Sequence, residues 1–90
     1  MTKLEKREIA LMQRMINTGQ AWLMEGSVGR QAMYMIESGL CMLGTKSHRD
    51  YYGNKVPSRF EVKSGTKGSL AYHKAAIADQ EKFERNLRRK

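Results

Sequence analysis

Apolar and cationic side chains occupy different halves of this chain, and that segregation limits where a core can form. The apolar residues concentrate in 4–43. Residues 1–45 carry five Lys or Arg (Lys3, Lys6, Arg7, Arg14, Arg30) against four acids (Glu5, Glu8, Glu25, Glu37), a net of +1. Residues 46–90 carry twelve against five, a net of +7. A near-neutral half that packs, joined to a basic half that does not, implies a scaffold presenting a polyanion-binding surface. Ninety residues make one domain, and a chain of that size buries roughly 60–65% of its unfolded surface, so the core is thin. Met12, Met15, Met24, Met33, Met35 and Met42 suit an adaptable interior; a Met-rich binding groove is the other use of such side chains.

Residues 3–24 read as helix. Leu4, Leu11, Met15 and Trp22 recur at helical spacing, with Ile9, Met12, Ile16 and Leu23 widening the stripe and Glu5, Lys6, Arg7, Glu8, Gln13 and Arg14 opposite. Thr2 and Glu5 form a capping box. Thr18-Gly19 is a weak point at which the helix can bend or split, and Glu25-Gly26 ends it. Ser27 caps a second helix over 28–38, whose inward face is Val28, Gln31, Ala32, Met35 and Ile36. Gly39 takes the left-handed position after it, so that Leu40 folds back on Met35 in a Schellman end. Trp22 is expected to anchor the core, a partner-facing contact being the alternative.

Leu40–Leu43, bounded by Gly39 and Gly44, reads as a strand. A polar loop follows, with Gly53-Asn54 at its turn and Asp50 shaping it. Val56, Phe60 and Val62 then alternate with Arg59, Glu61 and Lys63 as a half-buried strand, with Pro57 tolerated only at an edge or outside the paired stretch. Residues 64–69 read as a flexible connector, and Ser69 caps a third helix over 70–87. That helix has a thin apolar stripe of Leu70, Ile77, Phe83 and Leu87, so it docks weakly, dimerises, or orders on binding. Its basic end frays.

Helix, helix, short strand, basic loop, strand: over residues 25–65 this order resembles a winged helix-turn-helix DNA-binding domain. The resemblance implies an α+β, winged-helix-like fold with helices at 3–24 and 28–38, a β-hairpin pairing 40–43 with 56–63, and a C-terminal helix at 70–87. Residues 1–68 are then the winged-helix-like body and 69–90 a basic helix and tail of the same domain. It also implies that Arg30, Gln31 and Tyr34 open the recognition helix and that Lys46, His48, Arg49, Lys55 and Arg59 belong to the wing.

The basic residues can bind nucleic acid without the family. Each Lys or Arg placed on a phosphate releases counterions, giving salt-sensitive, sequence-neutral affinity. Tyr51 and Tyr52 beside Arg49 can stack on bases. Lys63, Lys67, Arg85, Arg88 and Arg89 extend the candidate surface, although cations near a helix C-terminus also complement its dipole. Cys41, His48 and His73 lack ligand spacing, and Gly65-Thr66-Lys67-Gly68 lacks the phosphate-loop pattern. No metal, cofactor or catalysis is expected.

Cys41 alone forms no intrachain disulfide, and neither an export signal nor a membrane-spanning run is present, pointing to the cytoplasm. Compactness, high charge and the lack of catalytic groups suggest a transcriptional regulator or a phage-type accessory factor, the latter in the host cytoplasm. The expected partner is nucleic acid, DNA ahead of RNA. An inhibitor or adaptor on an acidic protein is the alternative, and a homodimer through the C-terminal helix is compatible with either.

Overall fold

The computed structural model describes residues 2–24 and 26–88, Arg88 by its backbone alone. Glu25, expected to close the first helical stretch with Gly26, lies outside them. The architecture is α+β: α1 (Lys3–Thr18), α2 (Gln20–Leu23), α3 (Ser27–Glu37), a two-stranded antiparallel hairpin of β1 (His48–Arg49) and β2 (Lys55–Val56), and α4 (Leu70–Arg88). No helix among the described residues is long and apolar enough to cross a membrane.

Thr2 starts α1 as expected: its hydroxyl accepts the Glu5 N–H at 3.1 Å, and the Glu5 carboxylate accepts the Thr2 N–H at 3.5 Å. The weak point at Thr18-Gly19 is a full break. Gly19 adopts φ 84°, and the single turn α2 departs in a new direction. That turn buries Ala21 and Trp22, the latter 4% exposed, so Trp22 is a core anchor. The inward face of α1 holds Ile9, Met12, Met15 and Ile16 of the expected stripe together with Gln13, which was placed opposite, whereas Leu4 and Leu11 are 64% and 59% exposed. The break explains the difference. It places Trp22 by a change of chain direction, so α1 need not keep Leu4, Leu11 and Trp22 on one line. Leu23, on the outer side of α2, is exposed as well.

Gly26 caps α3, and Ser27 sits inside its first turn rather than capping it. Ala32, Met35 and Ile36 are buried and Val28 packs on them, whereas Gln31 points to solvent. Each fully buried Ile contributes about 1.5–3 kcal/mol of hydrophobic stabilisation, so Ile16 and Ile36, with Trp22, dominate a small core completed by Cys41 and Leu43. Gly39 ends α3 in the left-handed conformation and donates to the Ile36 carbonyl at 3.1 Å. The bond that closes the end on the Met35 carbonyl comes from Cys41, at 3.0 Å, one residue beyond the donor a Schellman end uses.

Leu40–Leu43 is not a strand, and residues 57–63 do not continue one. The extended segment instead finds its hydrogen bonds on other elements. The Met42 N–H donates to the Gln13 side chain at 2.8 Å, and Gln13 returns a bond to the Met42 carbonyl at 3.1 Å. Leu43 donates to the Gly68 carbonyl, and the Gly44 carbonyl accepts the Arg59 N–H. The true hairpin lies inside the expected loop, with His48 opposite Val56 and Arg49 opposite Lys55. Pro57, which lacks an N–H, follows directly after the paired residues. Residues 58–61 then make a turn that leaves Phe60 73% exposed.

Residues 64–69, expected to be flexible, form consecutive turns that begin at the Lys63 carbonyl and include a buried Gly68. The buried Ser69 hydroxyl accepts the Tyr72 N–H at 3.2 Å and the Gly65 N–H at 3.0 Å, capping α4 as expected. The first half of α4 docks through polar bonds. Tyr72 donates its hydroxyl to the Glu37 carbonyl at 2.6 Å, and His73 Nδ1 lies 2.7 Å from the Gly39 carbonyl. A carbonyl only accepts, so His73 carries a proton on Nδ1. Gln80, Glu81 and Glu84 still line a cavity with Lys6, Ile9 and Ala10 of α1, while the outer side and the end of the helix overhang: Phe83 and Leu87 are 60% and 55% exposed. The radius of gyration, 13.9 Å, exceeds the roughly 12 Å of a compact chain of this length, in keeping with that overhang.

Gly19→Ala tests the break. A Cβ there would lie 2.5 Å from the His48 ring, at a φ that side chains rarely adopt. The substitution is expected to cost about 1–3 kcal/mol, read as a lower midpoint in urea denaturation with an unchanged slope.

Candidate nucleic-acid interface

The hairpin presents its residues through a turn that Asp50 builds. One Asp50 carboxylate oxygen accepts the N–H groups of Tyr52 and Asn54, at 2.9 and 2.8 Å, and the Asp50 carbonyl accepts the Gly53 N–H. Asp50 therefore shapes the loop, and Gly53 supplies the positive φ it needs. Arg49 folds over the turn, donating to the Gly53 carbonyl at 2.9 Å. Tyr51 and Tyr52 stand at the tip with rings edge to face, centroids 5.2 Å apart, and both are exposed.

Between this hairpin and α3 runs a groove of about 570 Å³. Trp22, Ile36, Leu43, Val56 and Val62 line it from the core side. Met24, Met33, Gly26 and Gly29 also line it. Arg30 from α3, Lys55 from β2 and Lys67 from the loop before α4 bring positive charge to it, together with Tyr51 and Tyr52. Glu37 and Asp50 are the acids of its lining. Arg30 and Lys67 are exposed, while Lys55 is paired with Glu61 at 2.9 Å. The Lys55 ammonium, helped by the Ser58 N–H, holds the Glu61 carboxyl below the usual range. Both partners are well exposed, so the pair itself adds little stability.

The other expected site residues divide three ways. Gln31 and Tyr34 are exposed on α3, Lys46 and Lys63 on the loops flanking the hairpin, and Arg85 on the overhanging part of α4, but none of them lines the groove. His48 and Arg59 turn inward. The His48 ring packs on Gly19, with Nε2 buried and without a hydrogen-bond partner among the described residues. Arg59 donates to the Leu43 carbonyl at 2.8 Å and to Asn17 Oδ1 at 3.0 Å, so the expected wing cation is an internal clamp. Arg89, Lys90 and the side chain of Arg88 lie outside the described residues.

Sequence reasoning gave a groove as the alternative for Met24 and Met33 and missed the contribution of Val62. The signal available for the groove was Gly26-x-x-Gly29, two residues without side chains one helical turn apart at the start of α3. Cys41 contributes no site chemistry: it is fully buried, its thiol points at the Ile9 carbonyl, and burial pushes its pKa up to about 11. A thiol so raised holds its proton at neutral pH and is a poor nucleophile.

Two outcomes follow from these placements. Arg59→Met should lower stability by about 1–3 kcal/mol, because the Leu43 carbonyl and Asn17 lose a donor; thermal unfolding reads this directly. Cys41 should resist thiol-directed alkylation in the native protein at pH 8 and react in denaturant, as followed by mass spectrometry. No family model, no curated protein and no solved structure matches the chain.

Proposed function

We propose that the chain is a small, non-catalytic nucleic-acid-binding protein of winged-helix type that engages duplex DNA between α3 and the hairpin, acting as a regulator or a phage-type accessory factor. One observation carries the reading. Arg30, Lys55 and Lys67 lie far apart in sequence, yet they meet around a single groove beside two exposed tyrosines. Lys55 is already shared by Glu61, which leaves the exposed Arg30 and Lys67 as the cations that an external anion would neutralise. The helix order supports the same reading, since the break at Gly19 supplies a third helix ahead of the hairpin.

In this arrangement α3 offers Arg30, Gln31 and Tyr34 on its solvent side to the major groove, and Lys46 and Arg49 meet the backbone from the hairpin side. Arg59 and His48 take no part, being committed to the interior. Lys55 contributes less than its charge suggests, because Glu61 already shares it.

The salt dependence of duplex binding tests this. Arg30→Gln and Lys67→Gln are each expected to reduce the slope of log affinity against log salt by about 0.9, the loss of one phosphate contact. Lys82→Gln, on the overhanging part of α4, should leave the slope unchanged. Absence of duplex affinity at about 50 mM salt would overturn the reading in favour of an acidic protein partner.

A further inference from the structure

We infer that the groove between α3 and the hairpin receives an unpaired nucleobase, so that the protein prefers duplex ends or interruptions where a base is free. This rests on the nucleic-acid reading above and names the part of the ligand that enters the groove.

The argument starts from the groove's chemistry. Apart from Asp50, its buried and half-buried side chains are all apolar (Trp22, Ile36, Leu43, Val56, Pro57 and Val62), and its cations are all exposed. A phosphodiester is charged and strongly hydrated, and such a lining gives it nothing in return for the water it would lose. A paired base is equally unsuited, because its faces are covered by its neighbours in the stack. The part of a nucleic acid with an apolar surface to bury is an unstacked base, and its own phosphates stay at the rim. The rim is built for that division: Arg30 and Lys67 are exposed there.

The tyrosines make the same point independently. Tyr51 and Tyr52 meet edge to face, which leaves ring faces free for a base, and they are 55% and 74% exposed without a ligand. Asp50 fixes the turn that carries them through its bonds to Tyr52 and Asn54, so the platform is ordered in advance. Of the two acids in the lining, Asp50 is engaged in that turn, and the Glu37 carboxylate, exposed and without an ion pair or hydrogen bond among the described residues, can accept an exocyclic amine from a base. The 570 Å³ volume lies within the roughly 300–1,000 Å³ range of sites that enclose small organic groups.

The experiment compares a blunt duplex with the same duplex carrying a short single-stranded overhang. Fluorescence anisotropy of labelled DNA gives both affinities, and emission from Trp22, the chain's single tryptophan, reports entry into the groove. The overhang is expected to tighten binding by about tenfold and to change Trp22 emission, which the blunt duplex leaves unaltered. Tyr51→Ala and Tyr52→Ala should each remove most of that gain, as loss of a stacking face costs about tenfold, with blunt-duplex affinity falling by clearly less and thermal unfolding unchanged. Equal affinity for both DNAs, or tyrosine variants that weaken both alike, would overturn the inference and leave the duplex reading standing. Failure to bind either DNA would remove both.

Discussion

Buried peptide groups must find hydrogen-bond partners, and in this protein that requirement is concentrated on residues 39–44. The segment runs through the core without a neighbouring strand, so its donors and acceptors are met by whatever packs around it. Gln13 holds Met42 from α1, Gly68 holds Leu43 from the loop before α4, Arg59 holds Leu43 and Gly44 from the turn after the hairpin, and His73 holds Gly39 from α4. Four parts of the chain are thereby positioned by one short run of backbone. Two close approaches make the arrangement exacting. A Cβ on Gly39 would meet Ala76 at 2.3 Å, and one on Gly44 would meet the Ile16 carbonyl at 3.0 Å.

The same segment shows why part of the fold was legible in the sequence and part was not. Local signals worked where the partner is nearby: the Thr2–Glu5 box, the left-handed Gly39, the Ser69 cap and the Asp50 turn each depend on residues within four positions. The break at Gly19 belongs with them. Leu40–Leu43 misled because a short apolar run between glycines has the same composition whether its backbone pairs with a strand or with side chains. Gln13 and Arg59 decided the matter from 29 and 16 residues away, and nothing in their local sequence distinguishes an inward amide or guanidinium from a solvated one.

That ambiguity also explains the fate of the expected wing. Charge count alone treats Lys46, Arg49, Lys55 and Arg59 as equivalent, yet one is an internal clamp and another shares its charge with Glu61. Arginine suits the clamp because its planar fork reaches two acceptors, here the Leu43 carbonyl and Asn17, while a lysine would present a single point charge. The segregation seen in the sequence is real, but part of the basic half holds the apolar half together.

A core this small cannot enclose everything apolar, and where it leaves surface uncovered bears on function. Single exposed side chains such as Leu23 or Phe60 are ordinary on a small protein. The groove is different, because several apolar residues converge there from α2, α3, the hairpin and the loop after it, with Gly26 and Gly29 beside them. Adding one methyl at Gly29 would meet only the Ala21 carbonyl, at an ordinary 3.8 Å. The space around a Cβ therefore does not demand a glycine at that position, in the first turn of α3. Gly29 is one of the residues that line the groove with Arg30 and the two tyrosines, and it does so without a side chain.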